Sequence, residues 1–215
     1  MNALAQPWQR LKRGWQLYHL GDPRFSFLWD EPPPDEWVSL DTETTGLDRR
    51  NDEIVAIGAV RIAGNRILAS QRLELLVRPD KRAVSPDAIR IHRLREQDLR
   101  EGLPIDEALQ QLMRFIGSRP LVGYYLEFDL AMINRALFPM LGMKLPNKAI
   151  EVSSMYYDWK QRQRSVLEHD QPMDLRFATL MADLGLPLRE AHDAVNDAVM
   201  AALAFIKLRA LGVEV

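Results

Sequence analysis

Three consecutive segments with strand character, separated by short polar turns, place the strongest constraint on the fold of this chain. They cover Val38–Thr42, Ile54–Ile62 and Ile67–Val77, and the middle one reads IVAIGAVRI. The turns between them, at 48–53 and 63–65, contain Asp, Asn and Gly. Strand patterns that follow each other over short turns pair with their neighbours. The sequence therefore predicts that these three strands form a meander.

The rest of the chain alternates between strand and helix patterns. A fourth strand is predicted over Leu121–Leu126 and a short fifth over Ala149–Val152. Helix starts are predicted at Ser85-Pro86 and at Pro104, and further helices at 128–141, 154–164, 174–184 and 191–211. Strands followed by strand–helix units predict an α/β fold, in which helices flank a mixed five-stranded sheet.

The first 35 residues have a pattern of their own. An apolar stripe with helical spacing comprises Trp8, Leu11, Trp15 and Tyr18. The segment EPPPD that precedes Glu36 is predicted to be a stiff linker. We expect the stripe to pack against the main domain, and the alternative is a docking helix for a partner protein. The predicted division is a helical extension with a proline-rich linker, 1–35, and a main domain, 36–215.

Composition excludes several classes of site. The chain has 30 acidic and 28 basic residues, so its net charge gives no overall attraction to nucleic acid or membrane, although local basic patches remain compatible with this balance. Cysteine is absent, which excludes disulfides and thiolate metal sites. No apolar run is long enough for a transmembrane helix, and none follows the basic residues near the N-terminus. We expect a cytoplasmic protein without a secretory signal and without membrane contact.

Two carboxylates end the first predicted strand, in VSLDTETTGL. Asp41 and Glu43 are two residues apart and point to the same face if the strand continues that far. Side by side they repel each other, and their burial is costly unless a cation compensates. Because Mg²⁺ and Mn²⁺ prefer oxygen ligands, one interpretation is a metal site at the strand end. The other interpretation is a solvated polar turn.

More acids lie at two other element boundaries. Glu127 and Asp129 open a predicted helix in YYLEFDLAMINRAL, and His192, Asp193 and Asp197 open the last helix in EAHDAVNDAV. Acids in the first turn of a helix are ordinary partners of the helix dipole, so each one alone has a structural explanation. Together with the first pair, they are harder to explain by structure alone.

The order and spacing of these segments resemble the DEDDh 3′–5′ exonucleases, which have a ribonuclease H-like fold and include the proofreading subunit of bacterial replicative DNA polymerase. DTETTGL is similar to their first motif, FDLAMINRAL to the second and HDAVNDA to the third, while PDAIRIH is similar to a connecting segment. The resemblance covers residues 36–210. It departs from the family pattern at Tyr124-Tyr125, where a His-Asn pair is usual, which leaves the nucleotide contacts of this segment open.

This resemblance implies a metal-dependent 3′–5′ exonuclease that releases nucleoside 5′-monophosphates from single-stranded 3′ ends. Two divalent ions, Mg²⁺ or Mn²⁺, would be the cofactors. The carboxylates implied to hold them are Asp41, Glu43, Asp129 and Asp197. His192 is implied to be the general base that takes the proton of the attacking water.

Substrate contacts are implied mainly in the loop after the first strand. The residues that match the backbone near the terminal nucleotide are Thr44, Thr45 and Gly46. Leu47 matches an apolar residue near the terminal bases, and the alternative is a turn with one buried apolar anchor. His92 and Tyr125 are further candidates, with a structural histidine and simple packing as the respective alternatives.

The substrate stays open at this point. DNA is the first choice, because the first motif has the form found in the proofreading subunit, and RNA trimming is the second. A group placed to contact a 2′-hydroxyl would separate the two, and the sequence alone does not reveal one. The alternatives are a scaffold that kept the fold and lost the chemistry, a nuclease recruited to a polymerase by its N-terminal helix, and a two-metal hydrolase of small molecules. The presence of all five catalytic positions argues against the scaffold, and the oligomeric state is undetermined.

Overall fold

The computed structural model describes residues 5–164, 172–188 and 193–214. Its strands are β1 (Glu36–Thr44), β2 (Ile54–Ala63), β3 (Arg66–Leu76), β4 (Leu121–Gly123) and β5 (Ala149–Glu151). Its α-helices are α1 (Ala5–Tyr18), α2 (Pro86–His92), α3 (Glu96–Leu99), α4 (Ile105–Ile116), α5 (Leu126–Leu141), α6 (Val152–Gln161), α7 (Phe177–Asp183) and α8 (Ala194–Ala210). A 3₁₀ helix covers Pro23–Trp29. None of the described helices combines the length and the apolar composition needed to cross a membrane.

The strands form one mixed sheet in the order β3-β2-β1-β4-β5. β1, β2 and β3 pair antiparallel as a meander, while β4 pairs parallel to β1 and β5 parallel to β4. The predicted meander and the predicted mixed five-stranded sheet are therefore confirmed. Because β1 and β4 are parallel, the chain leaves both strands at the same edge of the sheet.

Helices cover both faces of this sheet, which explains the almost continuous apolar run of β2. Ile57 and Ala59 belong to an apolar cluster with α4, α5 and the 3₁₀ helix. Val60 and Ile62 belong to a second cluster with α6, α7 and α8. Since alternate residues of a strand point to opposite faces, a strand covered on both sides must be apolar at successive positions.

The fourth strand is shorter than predicted. β4 ends at Gly123, and Tyr125 adopts a left-handed backbone conformation with φ 53° directly before α5. The carboxylate of Glu151 accepts the backbone N–H groups of Tyr125 and Leu126 at 2.9 and 2.8 Å. These groups open the helix and have no partner within it, so Glu151 allows α5 to start two residues before the predicted Phe128.

The expectation that the aromatic stripe of α1 packs against the domain is wrong. Trp8, Leu11, Trp15 and Tyr18 are 76%, 68%, 63% and 85% exposed. Instead, Leu17 packs against the core, and the 3₁₀ helix buries its own apolar side chains there. Helical spacing showed that the four side chains share a face, but it could not show which face the domain covers.

Candidate active site

Three carboxylates from two distant segments meet at the edge where β1 ends. β1 continues through Thr44, so Asp41 and Glu43 project from the same side of one strand, as predicted. Asp197 comes from the first turn of α8. Oxygen atoms of these three side chains all lie within 4.8 Å of one another. This spacing suits a shared cation and is unfavourable for three unshielded negative charges.

The approach of α8 to this edge depends on a glycine in β2. Gly58 pairs with Asp41 across the sheet. A Cβ atom at Gly58 would lie 2.1 Å from the carbonyl carbon of Ala194, at the start of α8. The backbone of α8 thus touches the sheet beside Asp41, and this contact brings Asp197 to the cluster. The glycine inside an apolar strand pattern was a signal of such a close approach that the sequence interpretation did not use.

Asp129 of α5 is linked to β1 by hydrogen bonds, next to the cluster. It is buried, and its Oδ1 accepts hydrogen bonds from the backbone N–H and the hydroxyl of Thr42, at 2.9 and 2.6 Å. Thr42 lies between Asp41 and Glu43, so this carboxylate is fixed against the strand that carries them. The group of three that shares the 4.8 Å spacing does not include Asp129. Its role as a fourth metal ligand stays a prediction.

The acids make one another hard to ionise. Burial raises the pKa of Asp41 well above its usual range, and the charges of Asp129, Asp197 and Glu43 raise it further. Burial and then the charges of Asp197, Asp129 and Asp193 raise the pKa of Glu43 to about 8. Burial also raises the pKa of Asp129 to about 7, although the hydrogen bonds from Thr42 oppose this effect. A bound cation would stabilise the fully ionised cluster at neutral pH.

The loop after β1 is organised by Asp52. The hydroxyl of Thr45 donates to Oδ1 of Asp52 at 2.9 Å, and the hydroxyl of Thr44 donates to the carbonyl of Gly46 at 2.6 Å. A Cβ atom at Gly46 would lie 2.5 Å from the Asp52 carboxylate. The sequence interpretation did not foresee this approach to Asp52, and the predicted approach of Gly46 to the terminal nucleotide stays a prediction. Leu47 is 82% exposed, so the alternative of a buried anchor is wrong.

Comparisons with known proteins assign the chain to a family. The family model described as "Exonuclease" (RNase_T) matches residues 38–205, which is most of the chain. This chain belongs to the exonuclease family. The assignment to 3′–5′ exonucleases and the prediction of an enzyme are confirmed.

Individual relatives point to DNA polymerase III subunits. The exonuclease is 30% identical to the DNA polymerase III subunit epsilon of Treponema pallidum over 75% of this chain and 71% of that protein. It is also 30% identical to the PolC-type DNA polymerase III of Clostridium perfringens, of which it spans only 11%. Escherichia coli exonuclease I, solved in a complex with single-stranded DNA, superimposes with a TM-score of 0.69 at 18% identity, over 84% of this chain and 41% of that one. The last match confirms the ribonuclease H-like fold.

The structure gives the burial and the contacts of two further residues of the exonuclease that were predicted to touch the substrate. His92 is buried, its Nδ1 accepts the N–H of Leu94 at 3.1 Å, and its Nε2 lies 3.3 Å from the carbonyl oxygen of Thr44. This arrangement favours the structural alternative for His92. Tyr125 is 51% exposed and its ring lies against Tyr124, at 4.4 Å between centroids. Its predicted contact with a base stays a prediction.

His192, the predicted general base of the exonuclease, lies outside the described residues. Asp193, which follows it, caps α8 by accepting the backbone N–H groups of Val195 and Asn196, both at 3.0 Å. The role of His192 therefore stays a prediction.

One supporting residue of the exonuclease was not foreseen. Arg135 of α5 donates from Nη1 to the carbonyl of Arg49 at 2.7 Å and from Nη2 to the carbonyl of Asp52. Arg49 in turn pairs with Glu127 at 2.8 Å. These contacts fasten the loop after β1 to the helix that carries Asp129. They join residues about eighty positions apart, and no local pattern in the sequence signals them.

Proposed function

We propose that this chain removes nucleoside 5′-monophosphates from the 3′ end of single-stranded DNA in a reaction that requires divalent cations. The observation that carries the proposal is the meeting of Asp41, Glu43 and Asp197 at one sheet edge in a chain of the exonuclease family. Buried acids with raised pKa values are typical of functional sites rather than of structural surfaces.

The donor set fits Mg²⁺ or Mn²⁺. It consists of carboxylate oxygens only, which hard divalent cations prefer. Asp41, Glu43 and Asp197 would hold the ions, and Asp129 is the further predicted ligand. When bound, such ions stabilise the charge that develops on the phosphate and increase the acidity of the attacking water. Two ions, rather than one, remain our proposal.

The residues of the chain itself supply the other parts of the reaction. His192 is proposed to take the proton of the attacking water, a task that suits an imidazole near neutral pH. The loop that Asp52 organises presents its backbone and the exposed Leu47 beside the carboxylates. We propose that this loop holds the terminal nucleotide and that the exposed ring of Tyr125 stacks on a base.

DNA is the favoured substrate because the chain is similar to a DNA polymerase III subunit epsilon and to a PolC-type DNA polymerase III. Proofreading or repair trimming would use such an activity. RNA trimming is the second candidate, and a side chain that contacts the 2′-hydroxyl would favour it.

A protein partner for α1 is part of the proposal. The four side chains of the aromatic stripe are exposed on one face, and the sequence of α1 contains basic residues but no acidic one. This surface fits an apolar groove with an acidic rim on a DNA polymerase III subunit, the assembly to which the epsilon relatives belong by name. Replacement of Trp15 by serine should weaken binding to that purified polymerase and leave oligonucleotide hydrolysis unchanged. A cytoplasmic location stays a prediction.

A degradation ladder tests the activity. The protein and its Asp41→Ala variant are incubated with matched 5′-labelled DNA and RNA oligomers in Mg²⁺, Mn²⁺ or EDTA. We expect products that shorten from the 3′ end, only with metal and only with the unchanged protein, and faster on DNA. A faster ladder on RNA would replace the substrate assignment. No ladder with either polymer would contradict the proposed activity of the isolated chain.

A further inference from the structure

A basic surface lies at the same sheet edge as the carboxylates, although the net charge of the chain is close to zero. It is formed by the segment after β3, with contributions from the loop after β1 and the end of α3. Its exposed cationic side chains are Arg50, Arg78, Lys81, Arg82 and Arg100. We call this set the basic surface. Within the described part of the chain, none of the five makes a salt bridge.

The segment that carries these cations has a fixed conformation. The carboxylate of Glu53 accepts the backbone N–H groups of Lys81 and Arg82 at 2.9 and 2.7 Å, with a longer contact to that of Asp80. Glu53 is thus directed at the backbone of the segment rather than at its cationic side chains. Asp80 and Glu96 also line this region, and the carboxylate of Asp48 is close enough to Arg82 to interact with its charge. The five cationic side chains outnumber these acids and Glu53 together.

The strand register gives the distance from Glu43 to the point at which the segment after β3 leaves the sheet. Glu43 pairs with Ala56 of β2, and Ala56 pairs with Leu76, the last residue of β3. Because neighbouring strands are about 4.8 Å apart, the segment leaves the sheet roughly 10 Å from Glu43, on the same edge. The loop after β1 lies between them and is joined to Glu53 by the hydrogen bond from the Thr45 N–H to the Glu53 carbonyl at 2.9 Å.

We propose that the basic surface binds the phosphates of the substrate strand upstream of its 3′-terminal nucleotide. This inference rests on the proposed function. A polyanion that enters a cluster of acids is repelled outside the positions where cations bind, and unpaired arginine and lysine side chains offset that repulsion. Because a distance of roughly 10 Å exceeds the length of one nucleotide, the contacts would begin about two or three nucleotides upstream of the 3′ end. Shorter substrates would not reach the surface.

The test compares a long substrate with one too short to reach the surface. The variant Lys81→Gln/Arg82→Gln/Arg100→Gln removes three cations and leaves Glu53 in place. Its matched control, Arg66→Gln/Arg72→Gln/Arg114→Gln, removes the same charge from exposed positions on β3 and α4, away from that edge. The long substrate is a single-stranded 20-mer, and the short one is the p-nitrophenyl ester of thymidine 5′-monophosphate, both with Mg²⁺.

For the 20-mer we expect KM to rise roughly tenfold or more and the slope of log(kcat/KM) against log salt to fall by about 2, as loss of three phosphate contacts predicts. The ester should be hydrolysed at an unchanged rate, and the control variant should behave as the unchanged protein does. An equal loss of kcat/KM on the 20-mer in both variants, or an unchanged salt slope in the first variant, would overturn the proposal.

Two further arms separate the possible sources of failure. If neither the 20-mer nor the ester is hydrolysed by any form, the proposed function fails by itself, and the variants are then compared by fluorescence anisotropy with the labelled 20-mer. Weaker binding by the first variant alone would support the surface, and equal binding would overturn it. A duplex with a recessed 3′ end is the second arm. A loss confined to the duplex would assign the surface to the complementary strand and overturn our assignment to the degraded one.

Discussion

The carboxylates at the two ends of β1 lie in opposite electrostatic surroundings. At the start of the strand, Glu36 forms a salt bridge with Arg119, whose Nε lies 2.6 Å from Oε2 of the carboxylate. At the other end, neither Asp41 nor Glu43 has a salt bridge to lysine or arginine within the described residues, and burial with neighbouring acids raises the pKa of both. At one end the carboxylate has its counterion, and at the other end a cation would compensate the clustered acids.

This contrast separates structural from functional charge on a single element. An acid that only stabilises a fold is retained with its counterion, as Glu36 is. A cluster of buried acids without such counterions lowers stability, and it persists where binding of a ligand compensates for that loss. The contrast can be tested by changing each end in turn.

The largest effect is expected from Asp41→Asn. This change keeps the shape of the side chain and removes a charge from the proposed metal site, so hydrolysis should fall by at least about 10⁴-fold, or more than about 5 kcal/mol of transition-state stabilisation. Glu36→Gln at the other end should leave the rate within about twofold of the unchanged protein. Both are measured as kcat on a 5′-labelled oligomer. Retention of a tenth of the activity by Asp41→Asn would show that this end is not the catalytic one.

His192→Ala tests whether the acidic end needs a separate base. We expect kcat to fall by roughly 10²–10⁴-fold, the usual contribution of a general base. Cation binding, followed by calorimetry, should change little, because the carboxylates remain. Added imidazole should restore part of the rate. A variant with full activity would rule out the assignment of the base.

Gly58→Ala tests the packing that completes the acidic end. The new methyl group would collide with the backbone at the start of α8 and displace Asp197 from Asp41. A displacement of about 1 Å is enough to lower the rate by roughly 10²-fold. Gly14→Ala is the matched control, because Gly14 of α1 has open space around it. Activity equal to that of the control would mean that α8 does not need this close contact.

The smallest effect concerns stability. The pKa of Glu43 rises from 4.5 to about 8 in the folded protein, so the folded state binds more protons than the unfolded state between these values. Stability without metal should therefore decrease as pH rises through this window. Glu43→Gln should raise the free energy of unfolding by about 1 to 3 kcal/mol at pH 9 and by much less at pH 5.

Urea denaturation in EDTA at both pH values measures this difference. Glu36→Gln, which breaks the ion pair with Arg119, should instead lower the free energy of unfolding by about 1 kcal/mol at both. If Glu43→Gln lowered the free energy of unfolding at pH 9, the ionised acids at this end of β1 would not destabilise the folded protein.

Local patterns accounted for the strands and for the acids carried by β1. Alternation along a strand is a property of neighbouring residues, so it predicted both the meander and the common orientation of Asp41 and Glu43. Helical spacing failed to predict the surroundings of the aromatic stripe of α1, because such spacing identifies a face of the helix without identifying what covers it. The strand pattern also placed the end of β4 too late, because the turn there depends on the carboxylate of Glu151, which comes 26 residues after Tyr125.

By itself, the sequence determined the class of fold, the family and the acids that form the site, since these depend on local periodicity and on short motifs. Only the tertiary structure decided how the acids are held together. Gly58 admits α8, Thr42 fixes Asp129, and Arg135 fastens the loop after β1. The tertiary structure also brought the basic segment after β3 to the same edge as the carboxylates. Each of these is a contact between residues distant in sequence, and such contacts exist only once the sheet has formed and set its register.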